Sequence, residues 1–286
     1  MRHRYGIKLL ALLFTFFAIC TESEAGSCSD IDAQAVETRW VEVGMAMDNA
    51  LYRKFGSLAK AKAAAAEVLI EADLLYQNAT CGQGQPPVRL RLVELKIFTE
   101  ADPWVVSPNE NGVVNPQTLL NAFADWSRVH VKDNDTRHLL TGLNIGSAAG
   151  FTNYSSVCTE GAVSLSKSIL SLSNPDWSFE QAHIAAHEIG HTFGLTHDGQ
   201  EAYLCRVGCG PTYELFMDTR DCDINNFVMG PEGNTNAGRF SECSQYQLHI
   251  LATLGLPKQY NGYKGVADCL LDQPSSCEDD PQAECR

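Results

Sequence analysis

The sequence predicts a mixed α/β (α+β) fold, a twisted sheet layered with helices, and three observations carry that reading. Segments of helical period and segments of strand composition are interleaved along the chain. Apolar residues fill 44% of the 286 positions, enough to bury a sizeable core and to exclude disorder. From Gly194 to Cys243 glycines and cysteines dominate instead of periodic segments, which marks a smaller C-terminal part of loops held by disulfides.

The elements follow in chain order. Arg39 to Asp48 mixes apolar and polar residues as a strand does. Leu58 to Gln77 is rich in Ala, Leu, Glu and Lys and predicts a long helix, which the Gly, Gln and Pro residues between Thr80 and Pro87 break. Val88 to Thr99 alternates Val88, Leu90 and Leu92 with Arg89 and Arg91, then becomes mostly apolar, and predicts a strand. Pro116 to His130 predicts a helix with Leu119, Leu120, Phe123 and Trp126 on one face. Leu139 to Ile145 and Phe151 to Val157 are expected strands. Ser178 to Phe193 predicts a third helix, with Ser178 as its N-cap and Gln181 three residues on. A last helix is expected over Cys243 to Leu254, before an acidic, polar end.

The formal charge of −14 excludes the clustered Lys and Arg of a nucleic-acid surface. Arg2, Arg4 and Lys8 precede an apolar run from Leu9 to Cys20 and a polar, small-residue stretch from Thr21 to Gly26, the order of a secretory signal. At about 12 residues the run is too short to span a bilayer, and no other stretch approaches the length needed, so a secreted chain with no membrane span after signal removal is expected. Eleven cysteines suit an oxidising, extracellular compartment, and loss of Cys20 with the signal leaves an even ten.

The informative segment runs from His187 to Asp198. Residues four apart share a helix face, so His187 and His191 can present two imidazoles to one ion, with Glu188 beside them to manage the proton of a water. Gly194 lets the chain leave the helix through a conformation other residues avoid, so that His197 can return as a third ligand. Three neutral imidazoles leave one position of a tetrahedral Zn²⁺ open, as in catalytic rather than structural zinc sites. A random H-E-x-x-H is expected about 0.01 times in a chain of this composition, and the added Gly and His lower that to about 3 in 100,000. His183, one turn before His187, is expected to pack or face solvent; His3, His130, His138 and His249 are read as structural.

The full string, H-E-x-x-H-x-x-G-x-x-H with a methionine downstream, resembles the signature of metzincin zinc proteases. Asp198 after the third histidine, Phe227-Val228-Met229-Gly230-Pro231, Phe240-Ser241-Glu242-Cys243-Ser244 and Cys269-Leu270-Leu271-Asp272 resemble the adamalysin/reprolysin branch, which includes ADAM, ADAMTS and snake-venom metalloproteases. Val41-Glu42, Leu139-Leu140-Thr141-Gly142 and Ser156-Val157-Cys158 extend the resemblance over roughly residues 39 to 272.

The resemblance implies a metzincin fold with an active-site helix and a C-terminal subdomain holding a Met-turn, in which Met229 floors the zinc site. It implies a signal at 1–25, a short extension at 26–38, a protease domain at 39–272 and an acidic, Cys-containing tail at 273–286. The expected activity is zinc-dependent endopeptidase cleavage with Glu188 as general base, by a monomer acting on protein and peptide substrates, matrix or plasma proteins among them. A catalytically silent secreted binding protein on the same scaffold is the alternative, though all four site residues are intact. Substrate is expected along Gly150, Phe151 and Thr152, with Pro231 walling the pocket after the cut.

The resemblance further implies structural calcium on Glu42, Asp135, Asp272 and the Cys269 carbonyl. The implied disulfides are Cys158–Cys269, Cys205–Cys243 and Cys209–Cys222. Cys28, Cys81, Cys277 and Cys285 are left with three possible pairings. Cys222 stands seven residues before Met229 where venom members have a cysteine two before, and no long propeptide is expected between signal and protease domain. Asn78, Asn134 and Asn153 are sequons for N-glycans.

Overall fold

Side chains alternate across a strand, and that alternation in the first strand decides which helices the sheet carries. The computed structural model describes residues 38–80, 86–168, 174, 176–200, 222–224, 227–231, 238–254 and 269–270. Strands β1 (Arg39–Met47), β2 (Val88–Ile97), β3 (Thr136–Thr141), β4 (Gly150–Thr152) and β5 (Val163–Lys167) form one sheet in the order β2-β1-β3-β5-β4. The β1–β2, β1–β3 and β3–β5 pairs are parallel, and β4 lies antiparallel to β5 at the end of the order. The helices are α1 (Asn49–Phe55), α2 (Leu58–Thr80), α3 (Pro116–His130), α4 (Trp177–Phe193) and α5 (Glu242–Leu254).

Val41, Val43, Met45 and Met47 of β1 are fully buried in a core shared with α2 and α4, while Ala46 joins a second core built with Leu119, Leu120 and Phe123 of α3. On β3, Leu140 belongs to the first core and Leu139 to the second. Helices α2 and α4 pack together and both bring alanines into this core, Ala61, Ala64, Ala65 and Ala72 from one and Ala182, Ala185 and Ala186 from the other, small residues that let helix axes approach closely. The fully buried Tyr76 of α2 donates its hydroxyl to Ala186 O of α4 at 2.9 Å and packs its ring on Phe193 and Phe240, which satisfies the phenol and fixes the two helices lengthwise.

The sheet face under α4 is polar at its centre. His138 of β3 is fully buried with Nδ1 2.7 Å from Ser164 Oγ and Nε2 2.8 Å from Ser166 Oγ. Gln181 Nε2 donates to Ser166 Oγ at 2.8 Å, and Trp177 Nε1 to Ser168 Oγ at 3.1 Å. Burial lowers the His138 pKa to about 3, so the imidazole is neutral.

Several elements differ from expectation for identifiable reasons. Strand β5 was not expected, because its polar alternate residues are buried against His138 and Gln181 rather than solvated. The strand expected from Leu139 starts at Thr136 and ends at Thr141. Of the expected Phe151 to Val157 segment only Phe151 and Thr152 are strand, within β4, since Ser155, Ser156 and Val157 give their N–H groups to the end of α4. Helix α4 begins at Trp177, so Ser178 is inside it; its N-cap is Asp176, without a side-chain cap bond. The expected first strand stops at Met47, and Asp48 instead caps the short helix α1, which also was not expected. The Asp48 carboxylate accepts from Leu51 N at 2.7 Å, from Gly142 N at 2.9 Å and from Thr141 Oγ1.

Two outcomes follow from these buried groups. Asp48→Ala strips a helix cap and leaves buried N–H groups unpaired, and should lower unfolding free energy by about 3 kcal/mol in urea titrations. His138 is held below its unfolded value near 6.5, so the stability it allows is complete above about pH 6.5 and is lost as pH falls toward 3 and the unfolded chain takes up the proton. Unfolding midpoints measured against pH should therefore show a shallower acid limb in His138→Asn than in the parent.

Candidate metal centre

His187 and His191 stand one turn apart on α4, half-buried, and the helix ends at Gly194 with φ 102°, a left-handed C-cap. The Gly194 N–H returns to Gly190 O and His191 O, Leu195 N–H bonds Gly190 O at 3.0 Å, and the reversed chain carries His197 back over the helix. His197 Nε2 lies 3.1 Å from His187 Nε2 and 3.1 Å from His191 Nε2.

The opposite ring nitrogens of His187 and His191 are occupied, and His197 has a partner of its own. His187 Nδ1 donates to Val228 O at 2.6 Å and His191 Nδ1 to Leu195 O at 2.7 Å, while the Gln200 side chain hydrogen-bonds His197. A carbonyl only accepts, so both Nδ1 atoms carry their protons and both Nε2 atoms present bare lone pairs. One His197 N–H could satisfy at most one of them, so the arrangement calls for a cation at the centre. Ligands at about 2.05 Å from a tetrahedral Zn²⁺ stand about 3.3 Å apart, close to the spacing found. Burial lowers the pKa of all three, that of His191 to about 4, which keeps them in the ligating form at neutral pH.

Glu188 is buried beside them. Its carboxylate accepts the Thr152 hydroxyl of β4, whose Oγ1 also lies 3.1 Å from Glu188 O. Burial raises the Glu188 pKa to about 7, with the Thr152 bond opposing the rise. Gly150 lies against the same group, since a Cβ there would sit 2.6 Å from Glu188 Cδ. The strand thus meets the glutamate through a glycine and a hydroxyl, while Phe151 between them packs against the α3-side core.

Beneath the histidines runs the turn of Phe227 to Gly230. Met229 is fully buried, and a Cβ on Gly190 would come within 2.9 Å of its Sδ, so the sulfur fills the space that the glycine leaves. The same turn accepts the His187 Nδ1 proton on Val228 O and the Asp198 N–H on Met229 O, the latter at 2.9 Å. Asp198 is fully buried; its Oδ1 accepts from Ser241 Oγ at 2.6 Å and Ser244 Oγ at 2.9 Å. Gln247 of α5 bonds Thr196 N and Thr196 Oγ1, so α5 holds the arm that carries His197.

Compared with known families, residues 37–241 match the reprolysin-type model of metallo-peptidase family M12. The chain belongs to metallopeptidase family M12. Mouse disintegrin and metalloproteinase domain-containing protein 12 is 27% identical over 245 residues, 83% of this chain and 23% of that protein. The zinc metalloproteinase recombinant fibrinogenase II of Deinagkistrodon acutus is 27% identical over 215 residues, 73% of this chain and 77% of that protein. This M12 chain therefore spans about a quarter of the mouse relative's length and most of the snake protein's. Among solved structures, archaemetzincin from Methanopyrus kandleri matches with TM-score 0.46 and 15% identity, over 74% of this chain and 96% of that one.

Elsewhere in the M12 chain, Glu42, Asp135 and Cys269 come together where β1 meets the Cys269–Leu270 segment. Glu42 N donates to the Asp135 carboxylate at 2.9 Å, Asp135 N to Glu42 O at 2.8 Å, and Trp40 N to Leu270 O at 3.1 Å. The Asp135 carboxylate lies near the Cys158 and Cys269 sulfurs, which are joined in a disulfide; Asp272 is outside the described residues. Cys222 bonds Cys243, with Cα atoms 6.2 Å apart. That corrects two implied pairings, because the start of α5 folds over the segment leading to Met229 and each sulfur takes one partner; Cys205 and Cys209 lie outside the described residues. So do Cys28, Cys81, Cys277 and Cys285.

Asn78 is exposed near the end of α2, whereas Asn134 and Asn153 are part-buried, and the Asn153 amide nitrogen, which a glycan would need, donates to Gly161 O at 3.0 Å. Pro231 is exposed at the end of the Met-turn. His183 is buried edge-on to Phe179, outside the three-histidine group, and His130 stacks on Trp126 while bonding its carbonyl. The sequence gives no sign that Thr152 holds Glu188, that Tyr154 reaches Gly194, or that Gln200 and Gln247 hold His197 and Thr196. The residue string carried no signal for them, because each acts through a contact between segments distant in sequence or through a loop of no regular period.

Gly190→Ala should force Met229 or Leu195 aside and lower unfolding free energy by about 1–3 kcal/mol in thermal or urea titrations.

Proposed function

We propose that this M12 chain is a secreted zinc-dependent endopeptidase that hydrolyses protein substrates. The observation that carries the reading is the convergence of three histidine Nε2 atoms, those of His187 and His191 proton-free, beside a buried carboxylate, in a chain of a metallopeptidase family. His187, His191 and His197 would hold the zinc, which when bound supplies Lewis-acid polarisation of a scissile carbonyl and a lowered pKa for a water.

The chain's own groups supply the rest. Glu188 takes the proton of the attacking water on its carboxylate and passes it to the leaving amine. The Thr152 hydroxyl holds that carboxylate in one orientation, and the Gly150 backbone leaves it room. Strand β4, last in the sheet order, would pair with an extended substrate through its outer backbone edge, so that affinity comes from main-chain bonds and selectivity from pockets such as the one bounded by Pro231.

Secretion is supported by the N-terminal signal pattern and by two disulfides among the described residues. No helix among the described residues is long and apolar enough to cross a membrane. Calcium at Glu42, Asp135, Asp272 and the Cys269 carbonyl, and a glycan at Asn78, belong to the same proposal.

Glu188→Gln should keep about one zinc per chain and lose at least about 100-fold in kcat/KM on a peptide library read by mass spectrometry. Cleavage at the parent rate by that variant, or no chelator-sensitive cleavage by the parent, would overturn the assignment, the second outcome favouring a binding protein on a protease scaffold.

A further inference from the structure

The loop after β4 grips the end of the active-site helix. A helix C-terminus leaves carbonyls without intrahelical partners, and this loop supplies donors to them. Ser155 N–H donates to His191 O at 2.9 Å, and Ser156 and Val157 N–H both donate to Thr192 O, at 2.8 and 3.0 Å. Ser155 adopts a positive φ of 53°, a conformation the loop accepts in making these contacts.

Tyr154 adds a side chain to the same grip. Its hydroxyl donates to Gly194 O at 2.5 Å, and its ring lies 6.1 Å from the His191 ring, tilted by 53°. The Gly194–Leu195 peptide is where the chain leaves α4 for His197. It is held at both ends, by Tyr154 at Gly194 O and by Gly190 O at the Leu195 N–H. The next carbonyl, Leu195 O, receives the proton of His191 Nδ1. Rotation of this one peptide group would therefore move the orienting partner of His191 and the root of the arm carrying His197 together.

Nothing else about Tyr154 demands the contact. The residue is 45% exposed as a whole, yet its hydroxyl is turned onto Gly194 O. Thr152, two residues earlier, holds Glu188, so one short segment reaches the carboxylate with one side chain and the ligand arm with the other.

We propose that Tyr154 is a positioning residue of the metal centre, whose hydroxyl slows zinc loss by fixing the Gly194–Leu195 peptide that orients His191 and carries His197. The inference rests on the zinc reading given above. Partners that orient ligands without touching the metal change its affinity by about 10–100-fold, and Tyr154 lies one bond further out, so the lower end of that range is expected.

The test compares the full-length parent with Tyr154→Phe, which keeps the ring and removes the hydroxyl. Zinc release into an excess of a colour-reporting chelator is timed, and unfolding is measured with and without zinc. Tyr154→Phe should release zinc about ten-fold faster, and the stabilisation that zinc confers should shrink accordingly. Release at the parent rate overturns the inference while leaving the zinc reading intact. So does an equal fall in stability of the zinc-free and zinc-loaded forms, which would make Tyr154 a staple of the fold and not of the metal centre. A parent that takes up no zinc removes both readings.

Discussion

Three neutral imidazoles turn their Nε2 atoms to one point, the bare lone pairs of His187 and His191 repel one another there, and the surrounding fold has to hold them. It does so through a second partner for each ring, on the far side for His187 and His191. Val228 O, Leu195 O and the Gln200 side chain fix the rings of His187, His191 and His197, and the first two fix the tautomer as well. These partners come from three places: the turn beneath α4, the exit from α4 and the loop beyond the third ligand. Helix α4 therefore cannot slide over the turn without rotating His187, which explains why contact between Gly190 and Met229 is so close. Burial also disfavours the protonated, non-ligating form of all three histidines, so the environment that creates the repulsion also prepares the site for a cation.

Helix α4 is located by two kinds of contact that act differently. The α4 alanines and the apolar core they join supply burial, which is strong but tolerates small translations. Position along the helix is set by directional bonds: Trp177 to Ser168, Gln181 to Ser166, Tyr76 to Ala186 and Thr152 to Glu188. Each is worth about 1 kcal/mol net, so together they add modestly to stability, yet each is lost if the helix shifts by a fraction of a turn. The buried serines and His138 between sheet and helix have that positional role, and a purely apolar seam would leave the register of α4 to packing alone.

This division explains which parts were legible in the sequence. The ligand string was legible because helix geometry converts a spacing of four into a shared face, and the Gly194 break into a reversal, without knowledge of any other segment. Helix α3 was legible through its apolar face and Pro116. Strand β5 was not, since Ser164 and Ser166 are buried for reasons that lie on β3 and α4. The segment from Phe151 to Val157 read as one strand because Tyr154 and the serines resemble strand residues; its N–H groups go instead to the end of a helix that starts about 20 residues later. Asp48 and Gly56 did mark the ends of α1, but seven residues are too few for periodicity to register.

The disulfide pairing bears on the same centre. Cys222 and Cys243 are 21 residues apart, and the Met-turn lies inside the loop they close. Cys243 sits at the start of α5, between Ser241 and Ser244, which hold Asp198, and one turn before Gln247, which holds Thr196. A single cross-link therefore fastens the floor under the histidines to the helix that secures the third-ligand arm. Closing a loop of this size stabilises a fold by about 3 kcal/mol, in the entropic account by restricting the unfolded chain, without adding a contact at the site. The cross-link limits how far turn and helix can part, and the bonds to Asp198 and Thr196 set the arm within that limit. With Cys243 tied to residue 205 instead, the turn and α5 would share no covalent link, and the position of His197 over α4 would rest on the hydrogen bonds alone.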